Sequence, residues 1–325
     1  MNVLVVRMPQ RPASWRADVV TQDQAVQEAR QYVESRMANP SDVWGWSWGF
    51  VKLDKLTGGI QWEGTSELTV LGARPSIGKS SFMLSVVLSV ARQYAREYPG
   101  LEVRVILLEM TPMQVQLRAA SALSGVNVIK MRRGQLTFEE KRRVDAAFAH
   151  LASLPIKWLK GKHDVSTISK YVRTPSEQSG RSCGFWALDH IGIVPTPDAM
   201  RTGNTTFSLG NLSGQLHSLA REVAPGLVLA QLNRQSTQRK DPTPTASDLY
   251  GADKILQDCD NLLLLHRPEK YIERAPDEVP ERELAYVLVA KQREGFDGVK
   301  IPVLYINSFG GWADLSEEEA ELMGV

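Results

Sequence analysis

Apolar positions along the chain follow two periods, and the change from one to the other divides it. From Thr21 the spacing of Val26, Ala29, Val33 and Met37 is helical. Thr21 and Gln24 fit a reciprocal cap at its start, and Asn39-Pro40 ends it because proline cannot continue a helix. From about Glu67 the pattern turns to short apolar runs: ELTVLGA (67–73), VRVILLE (103–109), FWALDHIGIV (185–194), GLVLAQL (226–232), NLLLLH (261–266), ELAYVLVAK (283–291) and VKIPVLYI (299–306). Several are continuous rather than alternating, as strands buried on both faces are. Helices are predicted between them. Thr111-Pro112 opens one that Gly125 closes, Thr137 and Glu140 cap another, and Leu209, Leu212, Leu216 and Leu219 stripe a third.

Strand–helix alternation predicts an α/β fold, a mainly parallel central sheet with helices on both faces. The expected organisation is an arm and linker helix over 1–48, then one large domain over 49–325. A short amphipathic helix outside the main domain needs an apolar partner, in that domain or in a neighbouring subunit. Trp44, Trp46 and Trp48 are expected to pack the junction against the following domain. The charged, proline-bearing stretch 267–282 reads as a solvated hairpin or loop insertion.

Composition narrows the classes. With 325 residues, 43% of them hydrophobic, a sizeable core is within reach. The 38 basic and 37 acidic residues leave a net charge of +1, which argues against a polycationic coat for nucleic acid but not against a basic stripe inside a pore. Cys183 and Cys259 form no metal-ligand spacing and read as buried thiols. No apolar run approaches a membrane span and the amino terminus does not resemble a signal peptide. The expected location is therefore the cytoplasm of a bacterium or of a phage-infected one, with no membrane partner.

The segment LTVLGARPSIGKSSFMLSVVLSVA carries the chemistry. A strand, a tight loop and an apolar helix follow one another, with Gly78-Lys79-Ser80 at the helix start. In such a phosphate loop the backbone N–H groups hold phosphate oxygens, the lysine neutralises the terminal phosphates and the hydroxyl ligates magnesium. Ala73, Arg74, Pro75, Ser76, Ile77, Gly78, Lys79, Ser80 and Ser81 form the expected cradle, with ATP and Mg2+ as its ligands. The usual first glycine of the pattern is Ala73 here, one place after Gly72. Two acids fall at the ends of apolar runs, Glu109 and Asp189, where ligands of an open parallel sheet bind. Asp189 suits the support of the metal, and Glu109 suits a base that orients attacking water.

These residues carry a family resemblance. The run GFVKLDKLTGGIQWEGTSELTVLGARPSIGKSS (49–81) resembles the start of the RecA-like motor domain of DnaB-type replicative DNA helicases, alanine included. In the same order, LLEMTPMQVQLRAAS (107–121) resembles the catalytic-glutamate motif and LDHIGIV (188–194) the second acidic motif, which is also similar to that of fused phage primase–helicases and mitochondrial Twinkle. LAQLNRQSTQRKDPTPTASDL (229–249) resembles the sensor glutamine and the stretch leading to a DNA-binding loop, and VAKQREGFDG (289–298) the carboxyl-terminal lysine–arginine motif. The resemblance implies that Lys79 and Ser80 bind phosphate and magnesium, Glu109 activates water, Asp189 assists the metal and Gln231 senses the γ-phosphate. It implies further that Lys291 and Arg293 reach the neighbouring subunit's nucleotide, in a hexameric ring that threads single-stranded DNA 5′ to 3′. A helicase loader or primase is an implied partner.

Two departures accompany the resemblance. Only about fifty residues precede the motor, so the family's globular amino-terminal domain is expected to be missing, as in a phage or mobile-element protein. The family's DNA loop continues Asp-Leu with Arg-Glu-Ser-Gly, whereas Asp248-Leu249 leads here into Tyr250, Gly251, Ala252, Asp253 and Lys254. Backbone N–H groups near Gly251, the charge of Lys254 and stacking by Tyr250 are the candidate DNA contacts, with Arg201 in the other candidate loop. Three readings stay open: a ring helicase, a RecA-like ATPase switch that binds DNA or protein without unwinding, and a scaffold or inhibitor that joins or poisons a helicase ring with little turnover.

Overall fold

A computed structural model describes residues 20–62, 66–196, 205–233, 239, 241–249, 251–275 and 278–324. The chain forms two compact units, 1–41 and 42–325. In the first, helix α1 (Gln22–Ala38) starts with the reciprocal cap of Thr21 and Gln24, and none of its side chains is buried.

The second unit is built on one sheet of order β3-β2-β4-β5-β1-β6-β7-β8-β9. Its strands are β1 (Leu68–Ala73), β2 (Leu101–Leu107), β3 (Ile156–Lys160), β4 (Ser182–Asp189), β5 (Gly226–Gln231), β6 (Asn261–His266), β7 (Arg282–Gln292), β8 (Val299–Ile306) and β9 (Gly311–Ala313). β3 through β6 run parallel, and β7, β8 and β9 continue antiparallel from β6. β1, β2 and β6 are buried along their whole length, in keeping with their largely apolar runs; in β2 the buried charges Glu102 and Arg104 pair with each other.

Helices cover both faces. α2 (Val51–Thr57), α3 (Lys79–Glu97), α4 (Pro112–Ser124), α5 (Val128–Arg133) and α6 (Phe138–Ser153) precede β3. α7 (Val165–Arg173), α8 (Thr205–Glu222), α9 (Ala252–Asp258) and α10 (Glu317–Met323) follow it. One apolar cluster joins α3, α4 and α6 to one face of the sheet, and a second joins α7, α8 and α9 to the other.

The junction tryptophans belong to the second unit. Trp46 and Trp48 are buried, Trp46 stacks on Trp62 at 4.8 Å, and it meets Tyr94 and Tyr98 edge-on. Trp44 is 40% exposed, and its backbone N–H donates to Gly58 O. Buried Asp54 of α2 accepts from Ser47 Oγ and Trp48 N, both at 2.6 Å, and so ties this segment down.

Three sequence expectations need adjustment. β2 stops at Leu107, where its pairings with Lys160 and Asp189 end, so Glu109 lies beyond the strand. β4 ends at Asp189, as expected for that acid, but the apolar run 185–194 does not continue as a strand, because Ile191–Ile193 is a single 3-10 turn. The stretch 267–282 is not solvated throughout. Arg267 is 1% exposed, forked onto Glu283 by two N–H groups at 2.7 and 2.9 Å, with its guanidinium 3.3 Å from the Tyr305 ring centre. A charge this buried persists because it is paired and hydrogen-bonded. Among the described residues no helix is long and apolar enough to cross a membrane.

Candidate nucleotide site

β1 lies between β5 and β6 near the middle of the sheet, and the loop after it opens at the carboxyl ends of the parallel strands. Gly72 shows why the last strand residues are small. A Cβ there would stand 2.7 Å from a Leu264 methyl group, and the neighbouring Ala73 has no exposed surface. The loop turns through left-handed conformations at Ser76 (φ 63) and Gly78 (φ 109), and α3 begins at Lys79. A side chain on Gly78 would be strained in its backbone and would meet Tyr305 at 2.9 Å.

The cradle is braced from behind. Trp312 Nε1 donates to Gly78 O at 2.9 Å, and Arg267 Nη1 approaches Ile77 O at 3.4 Å. Phe82, one turn into α3, stacks on Phe50 at 4.9 Å. The guanidinium of buried Arg74 donates to the Tyr271 hydroxyl and lies over that ring. Pro75 and Ser76 are exposed, Ile77 is buried, and Ser81 is half-buried on the first turn of α3.

Ser80 Oγ donates to Asp189 Oδ2 at 2.6 Å, which joins the first turn of α3 to the end of β4. Burial pulls the Lys79 ammonium below the ordinary lysine value, and the carboxylates of Asp189 and Glu109 oppose that shift. Glu109 is 60% exposed in its side chain, and His190 Nε2 stands 3.7 Å from its Oε1. Gly192 N–H donates to His190 Nδ1 at 3.2 Å, so the ring presents Nε2 to Glu109. Burial is the largest cause of a lowered His190 pKa, followed by Lys79. Gln231 ends β5 opposite Ala73 in the register, with its side chain exposed.

The residues fit magnesium in its usual protein setting, where few protein oxygens are needed because phosphates and water complete the coordination. Ser80 and Asp189 provide that pair, and no cluster of three or more metal-ligating side chains occurs among the described residues.

The remaining predicted residues lie elsewhere. Lys291, next to last in β7, donates from Nζ to the carbonyls of Leu256 and Cys259, at the carboxyl end of α9. Arg293 follows, 58% exposed in its side chain, with Nη1 3.1 Å from Asp260 Oδ1. Asp260 in turn accepts from Leu68 N, at the start of β1. The two cations thus flank the opposite end of β1 from Ala73, about 16 Å away at the rise of an extended strand. Gly251 (φ 72) precedes α9, and Lys254 pairs with Asp258 at 2.8 Å on the helix surface. Tyr250 and Arg201 lie outside the described residues. Arg267, Tyr305, Trp312 and Asp260 carried no sequence signal of their own. Tyr305 and Trp312 lie on β8 and β9, and Asp260 and Arg267 flank β6, with no motif around any of them.

Comparison with known proteins now bears on this geometry. Residues 45–313 match the family model of the DnaB-like helicase C-terminal domain. The chain is 31% identical over 263 residues to the replicative DNA helicase DnaB of Buchnera aphidicola subsp. Baizongia pistaciae, covering 78% of this chain and 52% of that protein. It is 30% identical over 289 residues to DnaB of Haemophilus influenzae, covering 87% and 58%. The chain therefore spans about half the length of the curated relatives it matches. Among solved structures, the ATPase domain of G40P superposes with a TM-score of 0.79 at 23% identity, over 92% of this chain and all of that one. A DnaB-like replicative helicase studied with primase gives the same TM-score and identity, over 91% of this chain and 69% of its own. With the matched region containing the cradle, both acids and the β7 cations, the chain belongs to the DnaB-like helicase C-terminal domain family.

Proposed function

We propose that this chain is the motor of a replicative DNA helicase. It would hydrolyse ATP, assemble as a hexameric ring, move 5′ to 3′ on single-stranded DNA and separate duplex. The observation that carries the reading is the Ser80–Asp189 hydrogen bond across the mouth of the loop, with Lys79 in the field of Asp189 and Glu109. A strand-end acid engaged with the loop hydroxyl is the arrangement a phosphoryl-transfer site needs to hold a metal beside the terminal phosphate. In this reading Ser80 and Asp189 hold Mg2+, which when bound neutralises charge on the phosphate oxygens. Lys79 contacts the terminal phosphates, Glu109 takes a proton from the attacking water, His190 faces Glu109, and Gln231 reads the γ-phosphate. Lys291 and Arg293 act on the nucleotide of the adjoining subunit, and their distance from their own loop supports this assignment. Contacts of that head-to-tail kind close into a ring when the rotation between subunits closes, and run into a helix otherwise.

A second reading has one observation in its favour. The Lys254 ammonium is already paired with Asp258, which leaves less free positive charge at the predicted DNA loop. That favours a nucleotide-dependent switch without unwinding, which need not grip DNA through this loop. Forked duplexes with a 5′ or a 3′ single-stranded tail separate the two. The helicase reading expects strand separation with ATP on the 5′-tailed fork, abolished in Lys79→Ala. ATP turnover without strand separation on either fork would move the assignment to the switch.

A further inference from the structure

We propose that Asp260 is the positioning residue for Arg293, fixing the guanidinium that acts across the subunit boundary. This rests on the trans-acting reading of Arg293 given above. Asp260 lies between the end of α9 and the start of β6 with no exposed side-chain surface. Its Oδ2 accepts from Leu68 N at 2.9 Å and faces His217 Nε2 at 3.6 Å. Its Oδ1 accepts from Arg221 Nη2 of α8 and from Arg293 Nη1. The Arg293 backbone N–H also donates to Asp260 O at 3.0 Å, so the residue is gripped at both ends of its side chain.

Charge balance does not require the Arg293 contact. A buried carboxylate needs a partner, and Arg221 already supplies a full positive charge to Oδ1, with Leu68 N–H on the other oxygen. What the contact does change is Arg293, a long side chain 58% exposed that would otherwise sample many rotamers. Holding a catalytic group near its working position lowers the barrier by removing that search. Lys291 is set by the same helix end, through the carbonyls of Leu256 and Cys259. The other end of α9 carries Gly251 and Lys254, and Arg221 lies in the last turn of α8. Asp260 thus ties Arg293 to the end of α8, while the end of α9 holds Lys291.

The test is a double-mutant cycle on steady-state ATP hydrolysis at saturating single-stranded DNA, with Asp260→Asn, Arg293→Ala and the pair. Asp260→Asn is expected to lower kcat roughly tenfold or more, as a misplaced group does. The KM for ATP should stay within about twofold, because an interaction made only in the transition state is lost. The double variant should be no slower than Arg293→Ala alone, since a residue acting through another has nothing left to act through. Losses that multiply in the double variant would overturn the proposal while leaving Arg293 catalytic. Wild-type kcat in Arg293→Ala would overturn the trans-acting reading, and this proposal with it. Asp260→Glu, which keeps the charge but displaces it, is expected to show the same non-additivity. Failure of both Asp260 variants to fold, read by circular dichroism, would make Asp260 a structural residue and end the proposal.

Discussion

Glu67 stands where β1 begins, buried, with Asn261 Nδ2 donating to its Oε2 at 2.8 Å. Burial raises its pKa to about 7, with nearby Asp260 adding to the rise and the Asn261 hydrogen bond opposing it. The protonated form is therefore favoured by folding. Its stabilising effect is complete below the ordinary value of 4.5 and is lost as pH rises through about 7. The full loss is about 3 kcal/mol at the exchange of one pKa unit for 1.4 kcal/mol. Denaturant titrations at pH 5 and pH 8 should show wild type losing more stability than Glu67→Gln across that interval. Equal losses would show that Glu67 does not carry this effect. The phosphate loop was legible because strand, glycines, lysine and serine are contiguous. The side chains that hold it include Arg267, just after β6, and Trp312 on β9, which are 190 and 234 residues beyond their partners in the loop, and Tyr305 on β8; they share no local pattern with it.

At the scale of elements, the long buried strands and the capped helices were readable, and the reciprocal caps of Thr21, Thr111 and Thr137 all form. Elements with weak patterns went unnoticed. β3 is an edge strand, half-exposed and interrupted by Lys157 and Lys160, so it lacks the apolar run of its neighbours. β9 has three residues, too few for any period. α7 buries Ile168 and Val172 but is rich in β-branched residues, which favour strands on propensity alone. Here the Asp164 cap was the available signal, because its side chain accepts from Thr167 N at 2.9 Å. α1 presents the opposite case, a predicted helix with no buried side chain. Val26, Val33 and Met37 are 44%, 54% and 74% exposed. If they dock on a neighbouring subunit, deletion of residues 1–40 should give monomers by light scattering. An intact ring after the deletion would remove α1 from the assembly.

For the whole molecule, the sheet separates two kinds of chemistry. The phosphate loop, Asp189, Glu109 and Gln231 gather at the carboxyl ends of the parallel strands, while Lys291 and Arg293 lie at the other end of β1. In the proposed reading, one chain then holds a nucleotide cradle and, on the far side, the cations that serve a second subunit's cradle. The late position of Lys291 and Arg293 in the sequence already placed them far from the phosphate loop, and the antiparallel pairing of β7 with β6 sets them at the other end of the sheet. The claim that most needs testing is that hydrolysis at the cradle is coupled to DNA. Steady-state ATP hydrolysis, measured with and without single-stranded DNA and with Glu109→Gln alongside, tests it directly. Strong stimulation by DNA that disappears in Glu109→Gln is the predicted result; turnover indifferent to DNA, or undiminished in Glu109→Gln, would contradict it.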